Sequence, residues 1–218
     1  MDVPTEIRER LRAAADPTRA AGQQAYMKSA MPYLGVSVPE ARRIARLAGK
    51  SLTEARAIRT AALILWNEAD YREERYAAMA LLGLRVARGD PANLPLIEHM
   101  VRTGQWWDIT DELAHRLAEL HDADPGPTAA LVLRWCRDGD LWIRRIAILS
   151  QLGRRERVRA DLLAGTIEPN LADRDFFIRK AIGWALREYA RIDPDWVREF
   201  VATHELSPLS RREALRHL

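Results

Sequence analysis

With 218 residues, 48% of them hydrophobic, the chain has enough apolar material for one or two domains and a substantial core. No apolar run approaches the ~20 residues of a membrane span, and the charged opening "MDVPTEIRERLRAAA" lacks the apolar centre of a signal peptide, so a cytoplasmic location is expected. A lone cysteine, Cys136, closes no internal disulfide, and the five histidines lack metal-ligand spacing, so no structural zinc, metal centre or cofactor is expected.

The net charge of +3 decides nothing, but its distribution is uneven. Residues 142–191 hold eleven basic and six acidic side chains, whereas residues 110–141 hold three basic and seven acidic. An electropositive end or face is expected, which points weakly to an anionic polymer. Arginine makes up 31 of the 34 basic residues. That suits bidentate phosphate contacts, and a GC-rich coding bias produces the same excess.

Strand signals are nearly absent and apolar residues at helical spacing fill most of the chain, so the fold class is all-α. In chain order, five segments begin at matching points: "DYREERYAAM" at Asp70, "QWWDITDELA" at Gln105, "DLWIRRIAIL" at Asp140, "DFFIRKAIGW" at Asp175 and "SRREAL" at Ser210. Their starts lie 35 residues apart each time. Asp70, Asp140, Asp175 and Ser210 are of the type that caps a helix N-terminus. Between them, further helices are predicted after "GDPANLP", "ADPGPT" and "IDPDW", where Asp serves as cap and Pro as first helical residue.

Each unit then holds two helices, and a period of this length is that of a helical solenoid. The tetratricopeptide pattern of Trp, Leu-Gly and Tyr is not visible, so a HEAT-like α-solenoid of paired antiparallel helices is expected. It forms a single domain over residues 1–218, with one helix of each pair lining a concave groove. A plain helical bundle is the alternative.

Residues three or four apart on a helix share a face. That places Trp107 with Asp111, Trp142 with Arg145, and Trp184 with both Lys180 and Arg187. Trp66, Trp135 and Trp142 are assigned to packing, and Trp106 to the inward side beside Trp107. Asp108 is a helix-start charge, whereas Asp111 lies a full turn in. Arg145 and Arg187 also suit surface pairing with carboxylates such as Glu188. There is no Gly-rich phosphate loop and no defensible Ser-His-Asp spacing. What remains is stacking on a flat or cationic group, phosphate contact and one buried carboxylate, a set suited to a bond whose leaving group is already activated. The pattern alone equally fits a binding scaffold.

Several blocks resemble the AlkD-type DNA glycosylases, the HEAT-like DNA alkylation repair proteins. They are "YMKSAMPYLGVSVPEARR" from Tyr26, "WWDITD" from Trp106, "LWIRRIAILSQL" from Leu141, "DFFIRKAIGWALREYA" from Asp175 and "ELSPLSRREALRHL" from Glu205, so the resemblance spans nearly the whole chain. It implies a monofunctional base-excision-repair enzyme that hydrolyses the N-glycosidic bond of cationic N3- or N7-alkylated purines in duplex DNA, 3-methyladenine and 7-methylguanine among them. It also implies that the base is not flipped into a pocket, so bulkier adducts are tolerated. By the same resemblance, Tyr26, Trp107 and Trp184 contact the lesion, Asp111 positions water and stabilises the cationic sugar, and Arg145 contacts the DNA backbone.

Arg179, Lys180 and Arg187 are expected as further DNA contacts. The family can carry a DNA-contacting lysine where this chain has Gly153, so that contact passes to Arg154 or Arg155. A monomer acting in the cytoplasm at the nucleoid, without cofactor, is expected. A non-catalytic DNA-structure binder and a protein-interaction scaffold are the alternatives.

Overall fold

The structure, a computed structural model, describes residues 2–218. Among them it holds thirteen α-helices, four short 3-10 turns and no strand, so the chain is all-α. Packing divides it into two compact units, Met1–Leu96 and Ile97–Leu218.

The first unit holds α1 (Val3–Ala13), α2 (Pro17–Met27), α3 (Val38–Ala48), α4 (Ala55–Asn67) and α5 (Arg72–Leu81). Asp2, Asp16 and Ser37 cap α1, α2 and α3 with their side chains, and each of these helices carries a proline in its first two positions. α1 packs on α3, α4 and α5, and α5 on α3 and α4. Ile7, Leu11, Ile58, Leu65, Trp66 and Leu81 lie buried in this unit.

The start of α5 departs from expectation. Tyr71, not Asp70, is its N-cap position and makes no side-chain cap bond. Instead Glu74 reaches back to accept from the Asp70 N–H at 3.2 Å, one residue before the N–H that the acidic member of a capping box satisfies. Glu74 is buried, with Arg12 and Arg8 within 3.4 and 3.5 Å. Burial pushes its carboxyl up against those two cations.

Glu73 beside it is fully buried. Its carboxylate accepts the backbone N–H groups of Leu34, Gly35 and Val36 at 2.9–3.1 Å. Gly35 is required there, because its φ is +86° and a Cβ would lie 1.9 Å from the Asp16 carbonyl oxygen.

A 3-10 turn, Pro91–Asn93, capped by Asp90, leads into α6 (Leu94–Gly104). The second unit continues with α7 (Trp107–Ala123), α8 (Pro125–Trp135), α9 (Leu141–Leu149), α10 (Ala160–Ile167), α11 (Phe176–Tyr189), α12 (Pro194–Thr203) and α13 (Pro208–Ala214). Two rows form. One is α7, α9, α11 and α13, each packed on the next. The other is α8, α10 and α12: α8 rests on α7 and α9, α10 on α8 and α9, and α12 on α11 and α13. This is the stacking of helix pairs that the 35-residue period predicts.

The caps explain why the period repeats so closely. Asp140 accepts from Trp142 N–H at 2.8 Å, and Asp175 from Phe177 N–H at 2.6 Å. Two residues earlier, Asp138 and Asp173 accept the N–H groups of Asp140 and Asp175, each at 2.8 Å. "DGDLW" and "DRDFF" are thus the same turn one repeat apart. The other two starts in this unit differ: no cap was expected at Gln105, and the cap expected at Ser210 shifts. α7 has Trp106 at its N-cap without a side-chain bond, and α13 is capped by Ser207, which leaves Ser210 inside the helix. The proline at Pro208 starts α13 early, because a first-turn proline needs no N–H.

His121 on α7 is buried, its Nε2 3.2 Å from the Ser150 hydroxyl. Burial lowers its pKa to about 4, with Arg154 adding to the effect. The unfolded chain takes up a proton near pH 6.5 that the folded chain refuses until about pH 4. His121 therefore contributes stability that is complete above pH 6.5 and is lost as pH falls through that window, at a slope of up to about 1.4 kcal/mol per pH unit. Denaturant titrations at pH 7.0, 6.0 and 5.0 should show the loss. His121→Asn should flatten it, and an unchanged slope in that variant rules out His121 as its source.

Candidate functional site

The site in the second unit is organised by aromatic rings at the starts of three successive helices of one row. Trp106, Trp142 and Phe177 meet pairwise with centroids 5.8, 5.5 and 4.9 Å apart, all tilted. Trp106 and Trp142 thus pack, as expected. Trp107, next in the chain, is partly exposed, and Asp111 lies one turn further along the same side of α7.

Asp111 is held in a two-pronged grip by Arg145 of α9, Nε to Oδ1 at 2.8 Å and Nη2 to Oδ2 at 2.9 Å. The remaining arm of Arg145, Nη1, donates to the Phe177 carbonyl oxygen of α11 at 2.5 Å. The guanidinium therefore ties three helices together. Arg145 is only 4% exposed. It was expected at the DNA backbone; in the structure its Nε and Nη2 are taken by Asp111 and its Nη1 by the Phe177 carbonyl.

Burial pushes the Asp111 carboxyl above its ordinary range, and Arg145 opposes that shift, with a further small push upward from Asp108. Removing Arg145 leaves the upward cause without its main counterweight. Arg145→Ala should therefore move the acid limb of any Asp111-dependent activity to higher pH, as read from a pH–rate profile. A profile superimposable on wild type shows that Asp111's ionisation does not set it.

α11 presents Lys180, Trp184 and Arg187 at positions four and three apart, on one face. Trp184 is partly exposed. Lys180 and Arg187 were both expected as DNA contacts, yet both are paired with Glu213 of α13, Lys180 Nζ at 3.0 Å and Arg187 through Nη1. These cations hold the Glu213 carboxyl below the usual range. The close approach has a visible cause in Gly183: a Cβ there would lie 2.5 Å from Glu213 Cβ and 2.9 Å from the Ser210 carbonyl oxygen. The helical glycine in "AIGWAL" is a sequence signal for this approach that the reading did not use.

Arg154, another expected DNA contact, is buried and bonded to Asp122 at 3.0 Å and to the Gln151 side-chain oxygen at 2.7 Å. Gly153, at φ +80°, turns the chain so that residue 154 folds inward and Arg155, itself at φ +53°, stays exposed. Arg179 keeps part of its surface while its Nε donates to the Asp173 carbonyl at 2.9 Å. Tyr26 belongs to the first unit, on the last turn of α2, and is 76% exposed. Phe176, which the sequence reading did not single out, is 57% exposed at the start of α11.

A structure of a predicted DNA alkylation repair enzyme from Enterococcus faecalis is similar to the chain, with a TM-score of 0.80 and 26% identity over 94% of this chain and 96% of that one. The model of the family described as DNA alkylation repair enzyme matches residues 7–218. The chain belongs to that family. A crystal structure of the protein smu.31 from Streptococcus mutans shares the fold, with a TM-score of 0.65 and 20% identity over 83% of this chain and 92% of that one. No curated protein matches.

For a DNA alkylation repair enzyme, the side chains of the second unit form an arrangement able to stabilise positive charge. A carboxylate fixed in place by a guanidinium, next to an indole face, favours a positive charge that develops beside it. Among the described residues, no group of three or more His, Cys, Asp and Glu gathers to hold a metal ion, and no helix is long and apolar enough to cross a membrane.

Proposed function

We propose that the chain is a monofunctional DNA glycosylase that hydrolyses the N-glycosidic bond of N3- and N7-alkylated purines in duplex DNA, residues 1–218 acting as one catalytic domain. The observation that carries this reading is the half-buried Asp111, oriented by both prongs of Arg145 one helical turn from the partly exposed Trp107. Alkylation at N3 or N7 leaves a formal positive charge on the base. Breakage of the C1′–N bond sends the bonding pair to the base, which leaves neutral and needs little acid catalysis. Positive charge then moves onto the sugar. The Asp111 carboxylate stabilises it and takes the proton of the water that adds at C1′.

The indoles of Trp107 and Trp184 offer faces to the cationic base and sugar, and Tyr26 is retained as a further lesion contact. Arg155 and Arg179 are the phosphate contacts of this reading. It includes no metal and no cofactor, and it takes the enzyme to be a monomer that acts at the nucleoid. No pocket enclosing a flipped base is invoked, so bulky adducts are accepted as well.

The test is chromatographic release of free 7-methylguanine and 3-methyladenine from methylated duplex DNA. Borohydride is added in a parallel sample. Free base without a trapped protein–DNA adduct supports the reading. A trapped adduct means an amine nucleophile and a lyase. Binding without release means a non-catalytic DNA binder.

A further inference from the structure

Two of the cations on the Trp184 face are not free. Lys180 and Arg187 lie on either side of Trp184 along α11, and the single carboxylate of Glu213 reaches both. The arrangement is not a loose surface pair. Glu213 and Arg187 are 12% and 18% exposed, and Gly183 allows α13 to sit against α11 where Glu213 begins. The net charge of the three side chains is thus +1 in place of the +2 that α11 alone would present.

Duplex DNA binds proteins chiefly through phosphate charge, irrespective of sequence or damage. A cation held by an internal carboxylate contributes less to that general term. Recognition of a cationic lesion by indole and carboxylate is unaffected, because it draws on different side chains. The weaker phosphate term applies to damaged and undamaged duplex alike, since both carry the same phosphates.

We propose that Glu213 sets the chain's general affinity for duplex: it withholds Lys180 and Arg187 from phosphate and so weakens binding to any duplex, damaged or not. This inference rests on the duplex-DNA reading given above.

The test uses the full-length chain and an undamaged 20-base-pair duplex, with fluorescence anisotropy from 50 to 200 mM salt. Glu213→Gln should bind roughly three- to tenfold more tightly at the lowest salt, and its log-affinity should fall more steeply with log salt by about one to two in slope, since each newly exposed cation adds about 0.9. The gain should vanish when Lys180→Gln and Arg187→Gln are added. The K180Q/R187Q pair alone leaves Glu213 as an unpaired carboxylate and turns the local charge from +1 to −1, so it should weaken binding, by no more than about tenfold. That arm does not require Glu213→Gln to fold.

Unchanged or weaker binding by Glu213→Gln overturns the proposal, as does a loss well beyond about tenfold in the K180Q/R187Q pair, which would mean that these cations already contact DNA. The comparison needs no base release. A wild-type chain that binds duplex and excises nothing removes the glycosylase reading alone, whereas a chain that binds no duplex in any form removes both.

Discussion

Asp111→Asn should release methylated purines on the order of 10²–10³-fold more slowly than wild type in single-turnover assays, while duplex affinity stays within about twofold. Asparagine keeps the shape of the side chain and one oxygen for Arg145, so the loss isolates the charge. In the structure the Asp111 side chain is 16% exposed and both its oxygens are gripped by Arg145 at 2.8 and 2.9 Å. A negative charge fixed in this way needs no reorganisation when positive charge appears on the sugar, and weak screening makes it effective.

The residual rate should stay well above zero, because a cationic purine is already a good leaving group. Arg145 is only 4% exposed and loses half of a charge-assisted pair in the variant. A melting curve therefore belongs beside the kinetics, so that lost activity is counted per folded molecule. Release at the wild-type rate by a folded Asp111→Asn protein would take the carboxylate out of the mechanism.

The second large effect is on stability. Glu73→Ala should lower the stability of the first unit by about 3–5 kcal/mol, a fall of roughly 10 °C in melting temperature for a chain of this size. The side chain is fully buried and serves as acceptor for the N–H groups of Leu34, Gly35 and Val36. Alanine leaves three backbone donors without a partner, each costing about 1–3 kcal/mol when buried. The same segment returns the Leu34 carbonyl to the Asp16 N–H at 2.8 Å, so its loosening reaches the start of α2 as well. Glu73→Gln should fall between the two, since its amide keeps one acceptor oxygen and turns an NH2 toward donors. Thermal denaturation followed by circular dichroism reads all three proteins. An alanine variant that melts within a degree or two of wild type would show that water satisfies the loop instead.

Much of the architecture was legible because its causes are local. Asp140 and Asp175 cap their helices through bonds that span two or three residues, and prolines after Asp90, Asp124 and Asp193 mark helix or 3-10 starts, although Asp124, expected as a cap, makes no side-chain cap bond. The 35-residue spacing of these signals appears directly as the stacked row α7, α9, α11 and α13. Placing Trp107 and Asp111 on one side of α7, with Trp106 turned inward, needed only the 3.6-residue turn of a helix.

The sequence by itself thus determined the all-α class, the repeat and the pairing of an indole with a carboxylate. The tertiary structure alone decided which charges those residues meet. Arg145 finds Asp111 34 positions away, Arg154 finds Asp122 32 positions away, and Arg187 finds Glu213 26 positions away. Each pair joins different elements, so the choice of partner follows from how closely helices stack and not from periodicity along one of them. An arginine in a basic stretch reads as a phosphate contact until the neighbouring element is in place. A glycine such as Gly183, by admitting α13 to within van der Waals reach of α11, decides the matter without carrying any charge itself.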